Sequence, residues 1–158
     1  METREKKYYD YGIPMTKDFE GFRDKIYLDT NNNRTIGYGF NLEDRNMRSM
    51  LPAEVVSGQR PITRKEADAI FVKRYNQAAK DALDFIGLES MLRLDPYRQA
   101  ILVDMAYNLG PNKLSEFKNM QAAVQSGDYM KAAAEMKNSR WYNQTGRRSK
   151  HHVLKFSK

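Results

Sequence analysis

The sequence contains no cysteine. That excludes disulfides and thiolate metal sites and suits synthesis in a reducing compartment. No apolar run approaches the ~20 residues that a bilayer-spanning helix needs, so no stable membrane insertion is expected. Residues 1–7 are charged and have no apolar stretch behind them, so no signal peptide is read there. Internal repeats and low-complexity linkers are missing too. Acidic residues are the scarcer charge, at 20 Asp and Glu against 27 Lys and Arg, which leaves a formal net charge of +7. Such a field favours polyanions: nucleic acid, anionic lipid or an anionic cell wall. No recognisable nucleic-acid-binding motif is present, so nucleic acid is not the expected partner.

The 158 residues, 41% hydrophobic and 30% charged, fit an ordinary globular chain of one domain or two small lobes sharing a core. Residues 1–14 read as an irregular lead-in ending at Pro14. Thr16 then caps a helix reaching about Lys25, with Phe19, Phe22 and Ile26 facing the core. Residues 26–29 and 35–38 alternate and are joined by Asn31, Asn32 and Asn33, which predicts a hairpin. Gly37 and Gly39 would weaken a plain strand and mark a bulge or a close approach. A short helix fits between Leu42 and Arg60, interrupted at Leu51 and Pro52. Thr63 and Glu66 form a capping box for a long helix from Arg64 to about Leu83.

Beyond it the chain reads as helical. Asp95 and Pro96 open a helix that Gly110 ends, with Ile101, Leu102, Met105 and Leu109 as its apolar stripe. Ser115 is the expected cap of the next helix, which Gly127 stops. Asp128 starts another, with Met130, Ala133, Ala134 and Met136 buried. Residues 140–146 read as an aromatic-polar loop with Trp141 in the core, and a basic helix follows. The excess of Arg147, Arg148, Lys150, His151, His152, Lys155 and Lys158 there reads as a solvated helix face. The fold class is therefore α+β: a small lobe with a short antiparallel sheet, residues 1–62, a connecting helix, residues 63–86, and a larger all-helical lobe, residues 87–158. The first helix is free to pack on the helical lobe.

Three groups able to do chemistry lie between Phe19 and Asn41: Glu20, Asp29 and Thr35. Cleaving a glycosidic bond takes an acid for the leaving oxygen and a carboxylate for water or the cation. The nine-residue spacing of Glu20 and Asp29 does not by itself bring them together, and surface carboxylates remain the alternative reading.

The motifs Glu20-Gly21, Tyr27-Leu28-Asp29-Thr30 and Thr35-Ile36-Gly37-Tyr38-Gly39 occur in that order. Ala106-Tyr107-Asn108-Leu109-Gly110 and Ser139-Arg140-Trp141-Tyr142-Asn143-Gln144-Thr145 follow. Together they resemble the phage-type lysozymes, a glycoside hydrolase family, over residues 16–156. The resemblance implies a lysozyme-like fold and an endolysin that hydrolyses the β-1,4 bond between N-acetylmuramic acid and N-acetylglucosamine of peptidoglycan, for host cell lysis. Glu20 would be the general acid, kept protonated by partial burial or neighbouring negative charge. Asp29 and the Thr35 hydroxyl would position water on the opposite sugar face, with inversion. No metal or cofactor is implied. Asn41, Tyr107, Met120 and Glu135 align with saccharide-contacting positions. Arg148 aligns with an arginine that pairs with the acid; a solvent-facing charge is its alternative reading.

The family often has a histidine where Phe40 stands, paired with an aspartate on the long helix where Arg74 stands. Phe40 is therefore expected to pack. The resemblance further implies a monomer, made in the host bacterial cytoplasm, that reaches the wall in the periplasm through a holin. A lytic transglycosylase and a non-catalytic wall-binding protein are the alternatives; the full trio of Glu20, Asp29 and Thr35 argues against both.

Overall fold

A computed structural model of the chain describes residues 4–158. It is mostly helical with one small antiparallel sheet, the α+β arrangement expected. Two compact units divide it: residues 16–75, and residues 4–15 together with 76–158. Among the described residues no helix is long and apolar enough to cross a membrane.

The first helix, α1, spans Tyr8–Glu20 and carries Pro14 in its interior. The expected irregular lead-in is thus helical from Tyr8, and Thr16 is a fully buried mid-helix residue, not a cap. Proline was a poor stop signal here because other contacts fix the segment. Asp10 reaches back to the Lys7 N–H at 2.8 Å, half of a capping box, and the Tyr11 ring meets Tyr97 edge-on at 5.3 Å. The helix also ends earlier than expected. The Gly21 N–H returns to the Lys17 carbonyl at 2.9 Å, and φ of +69° at Gly21 turns the chain away. Phe22 and Ile26 consequently lie outside the helix.

Strands β1 (Arg23–Leu28), β2 (Arg34–Gly37) and β3 (Phe40–Asn41) pair antiparallel in the order β1-β2-β3. The predicted hairpin is present, with β1 starting at Arg23 and Asn32 taking φ of +62° in its turn. Two short helices, α2 (Arg45–Met50) and α3 (Ala53–Val56), follow on either side of the break at Leu51 and Pro52. The long α4, Arg64–Ile86, begins at the capping box. Glu66 accepts the Thr63 N–H at 2.9 Å, and Thr63 Oγ1 accepts the Glu66 N–H at 3.1 Å. Its 23 residues rise about 35 Å. Phe40 is 1% exposed, so the expected packing is found, with its ring edge-on to Tyr38 at 6.2 Å and against Gly37.

The helical unit adds α5 (Leu88–Arg93), α6 (Pro96–Ser115), α7 (Lys118–Gln125), α8 (Tyr129–Lys137), α9 (Arg140–Thr145) and α10 (Arg147–Phe156). Asp95 and Asp128 cap as expected, and Gly110, at φ +79° and ψ 165°, breaks α6 where the sequence ends it. Three expectations fail. Ser115 closes α6 instead of capping α7, since Phe117 precedes α7. On α8 the buried face is Ala132, Ala133 and Met136, while Met130 is 74% exposed and Ala134 is also exposed. The expected loop over residues 140–146 contains α9: Ser139 Oγ accepts the Tyr142 N–H at 3.1 Å and caps it. Trp141 is core, as expected, with its Nε1 donating to Asn108 Oδ1 at 2.8 Å.

Candidate active site

Glu20 is the last residue of α1, and the turn between β2 and β3 comes up against it. Gly39 sits at φ +73° with its Cα beside the Glu20 carboxyl. A Cβ there would lie 2.9 Å from Glu20 Cδ and closer still to Oε1. The close approach foreseen for this glycine is therefore to the candidate acid itself. Gly37, at φ +67°, is similarly filled by the Phe40 ring, 2.6 Å from where its Cβ would stand.

Asp29 follows β1 and closes the turn as an Asx residue. Its Oδ1 accepts the backbone N–H groups of Asn31 and Asn33, each at 2.8 Å, and Oδ2 accepts Asn33 Nδ2 at 3.3 Å. The asparagines that make the turn thus also fix the direction of the carboxylate. Thr35 is 3% exposed and donates its hydroxyl to the Asn33 carbonyl at 2.9 Å. In the sheet Tyr27 pairs with Thr35, and Thr35 pairs with Asn41, so one cross-strand row carries all three on the same face. The Tyr27 phenol has its pKa raised by burial first, then by the negative charges of Glu20 and Asp29, with Arg23 opposing. Both candidate carboxylates therefore act on one hydroxyl, and that hydroxyl belongs to the cross-strand neighbour of Thr35. Asp29 and Thr35 meet at Asn33, which gives its N–H to the one and its carbonyl to the other, and Glu20 lies against Gly39 in the turn that leaves β2.

The other expected residues lie in the helical unit. Tyr107 is 4% exposed on α6. Met120 and Glu135 line a cavity of about 610 Å³ together with Phe117, Asn138, Arg140 and Trp141; Glu20, Asp29 and Thr35 are not in its wall. Arg148 is not a solvent-facing charge. It is 7% exposed, and its Nε and Nη2 grip the two oxygens of Asp104 at 2.7 and 2.8 Å. His152 Nε2 meets Asp104 Oδ2 at 2.5 Å, and the fully buried Asp104 is held ionised. Burial alone would raise this carboxyl. Arg148, then the hydrogen bonds from His152 and Arg148, carry it well below the ordinary range. The basic carboxyl-terminal run is accordingly split: Arg148 and His152 face inward while Arg147, Lys150, Lys155 and Lys158 are exposed. Among the described residues no cluster of three His, Asp or Glu is placed to hold a metal ion.

Residues 17–154 match the phage lysozyme family. The chain belongs to it. A probable T4-type lysozyme 1 of Dictyostelium discoideum is 31% identical over 85% of this chain and 86% of its own length. A probable T4-type lysozyme 2 of the same organism is 29% identical over the same shares. The pre-baseplate central spike protein Gp5 of Enterobacteria phage T4 is 29% identical over 86% of this chain, but the match covers 26% of that protein.

Membership in the phage lysozyme family supports a glycoside hydrolase with peptidoglycan as its substrate. Two residues that partner the expected ones do not stand out in the sequence: Tyr27 beside Thr35, and Asp104 beside Arg148. Tyr27 is visible only as part of the Tyr-x-Asp-Thr motif, and its pairing with Thr35 needs the strand register. Asp104 interrupts the apolar stripe of α6, which was the available signal that a buried acid wanted a cation.

Proposed function

We propose that this phage lysozyme family chain hydrolyses the β-1,4 bond between N-acetylmuramic acid and N-acetylglucosamine. Glu20 protonates the leaving oxygen. Asp29 and the Thr35 hydroxyl hold the attacking water on the opposite face, and the anomeric carbon inverts. The observation that carries the reading is that Asp29 and Thr35 both bond to Asn33, while Glu20 lies against Gly39 in the turn that leaves β2. All three groups belong to the 16–75 unit, which supports their acting on one bond. The fixed direction of the Asp29 carboxylate, held by two amides, suits a group that must orient water without moving. Asn41, in the same row as Thr35, contacts the sugar.

In this reading the protein is a monomeric endolysin. It is made in the host bacterial cytoplasm, passes through a holin-dependent opening and acts on the wall from the periplasm. The net charge of +7 supports adsorption to an anionic wall. The similarity to a phage spike protein favours a second reading, the same chemistry carried in a virion. Digestion of purified peptidoglycan tests the proposal. The wild type should release new reducing ends and Glu20→Gln should release none. Anhydro-muramyl products would point to a transglycosylase, and a Glu20→Gln variant as active as wild type would remove Glu20 from the role.

A further inference from the structure

A general acid is useful only where its carboxyl is held. Here the Glu20 carboxyl rests against the Cα of Gly39, so the position of Gly39 matters to it directly. Gly39 stands in a turn with Gly37 and Tyr38, and both glycines have φ in the left-handed region, +67° and +73°. Two such glycines give the backbone little preference of its own. The turn is therefore placed by whatever holds Tyr38.

Tyr38 is held on every side. It is 3% exposed, and its ring meets Phe22 at 5.2 Å, Phe71 at 5.4 Å and Phe40 at 6.2 Å. Its hydroxyl donates to Asp68 Oδ1 on α4 at 2.7 Å and accepts from Arg64 Nη1 at 3.3 Å. The same Asp68 oxygen takes Lys17 Nζ at 3.2 Å. Lys17 lies on α1, three residues before Glu20, and its ammonium sits over the rings of Tyr38 and Phe71 at 5.1 and 5.2 Å. One carboxylate thus binds the turn that touches Glu20 and the helix that carries it. The Tyr38 hydroxyl, then Lys17, hold Asp68 below its ordinary pKa, so it is ionised when it does this.

We infer that Asp68, through Tyr38 and Lys17, is a positioning residue that sets the Glu20 carboxyl against the Gly39 backbone. The inference rests on the reading of Glu20 as the acid. The Lys17–Asp68 pair is part-exposed, at 31% and 45%, and an ion pair so exposed adds little to stability. Its consequence is geometric.

The test compares Asp68→Asn and Tyr38→Phe with wild type, using peptidoglycan turnover and NMR of the Gly39 amide and the Glu20 side-chain carboxyl carbon. Each variant should lose roughly tenfold or more in kcat with KM little changed, since sub-ångström misplacement acts on the transition state. Both resonances should move, and the double variant should be no worse than the poorer single. Arg60→Met, which removes the Arg60–Glu66 ion pair at the start of α4 and leaves Asp68 alone, should keep wild-type kcat. The inference is overturned if both variants, folded at the assay temperature, keep kcat within about twofold and leave both resonances in place. Should Asp68→Asn not fold, Tyr38→Phe, which deletes one oxygen, decides alone. If Glu20→Gln proves active, the acid assignment has failed. The resonance shifts still report whether Asp68 places Glu20.

Discussion

Gly39→Ala separates the cost of folding from the cost of chemistry. The substitution imposes two penalties that the structure distinguishes. Alanine at φ +73° pays about 1–2 kcal/mol for the left-handed backbone. Its Cβ would also stand 2.9 Å from Glu20 Cδ, at least about half an ångström inside ordinary contact. The crowded atom is the far end of a side chain that can swing away, so the second penalty hardly touches stability. It falls on the position of the acid, where about 1 Å can cost on the order of 10²-fold in rate. Gly58→Ala is the matched control: φ is +82°, and the nearest atom to its Cβ is Ile26 Cδ1 at 3.9 Å. Both variants should lose about 2–8 °C in thermal midpoint, measured by circular dichroism. Only Gly39→Ala should lose peptidoglycan-solubilising activity, by about 10²-fold in kcat. Equal activity losses in the two variants, or none in Gly39→Ala, would refute the reasoning.

Arg148→Met strands the Asp104 carboxylate in a fully buried site, so it should cost about 3–5 kcal/mol in urea unfolding. Adding Asp104→Leu should recover much of that loss; if it does not, the pair is not the cause. His151 has its pKa lowered by burial first, then by His152 and Lys155. The unfolded chain therefore binds this proton more readily than the folded one. Stability should be flat above about pH 7 and fall below the unfolded value near 6.5, by at most about 1.4 kcal/mol per pH unit. His151→Gln should remove that component of a pH series of unfolding curves. Glu66 is depressed to about 2 by the Arg60 guanidinium and the Thr63 N–H. Its contribution is present above about pH 4.3 and lost as pH falls through about 2. A carboxyl-carbon titration placing Glu66 in the ordinary range would contradict the capping geometry. Finally, NMR of freshly cleaved product should show the α-anomer first, since the proposed mechanism inverts; an initial β-anomer would refute the role given to Asp29.

Much of the fold was legible because its signals are local. The capping box of Thr63 and Glu66, the caps Asp95 and Asp128, and the breaks at Gly110 and Gly127 each depend on residues a few positions apart. Those contacts form wherever the helix does. The asparagine turn is of the same kind. The candidate site was named through the family resemblance that the order of motifs around Glu20, Asp29 and Thr35 carries, since their spacing alone does not join them.

What the sequence could not decide depended on partners far along the chain. Pro14 stays inside α1 while Tyr11 packs on Tyr97, a residue 86 positions away. The α8 face that turns inward is chosen by its neighbours α7 and α10, and it exposes Met130 while burying small alanines. Arg148 looked like one more basic residue until Asp104, 44 positions earlier, met it in the core. The same holds for the site. By itself the sequence determined which groups are available: an acid, a second carboxylate, a hydroxyl and two unconstrained glycines. Only the tertiary structure decided that strand register sets Tyr27 beside Thr35, and that Asp68 on α4 holds the turn against Glu20. Residue type fixes what a group can do, whereas its distance from the next group is set by packing summed over the fold.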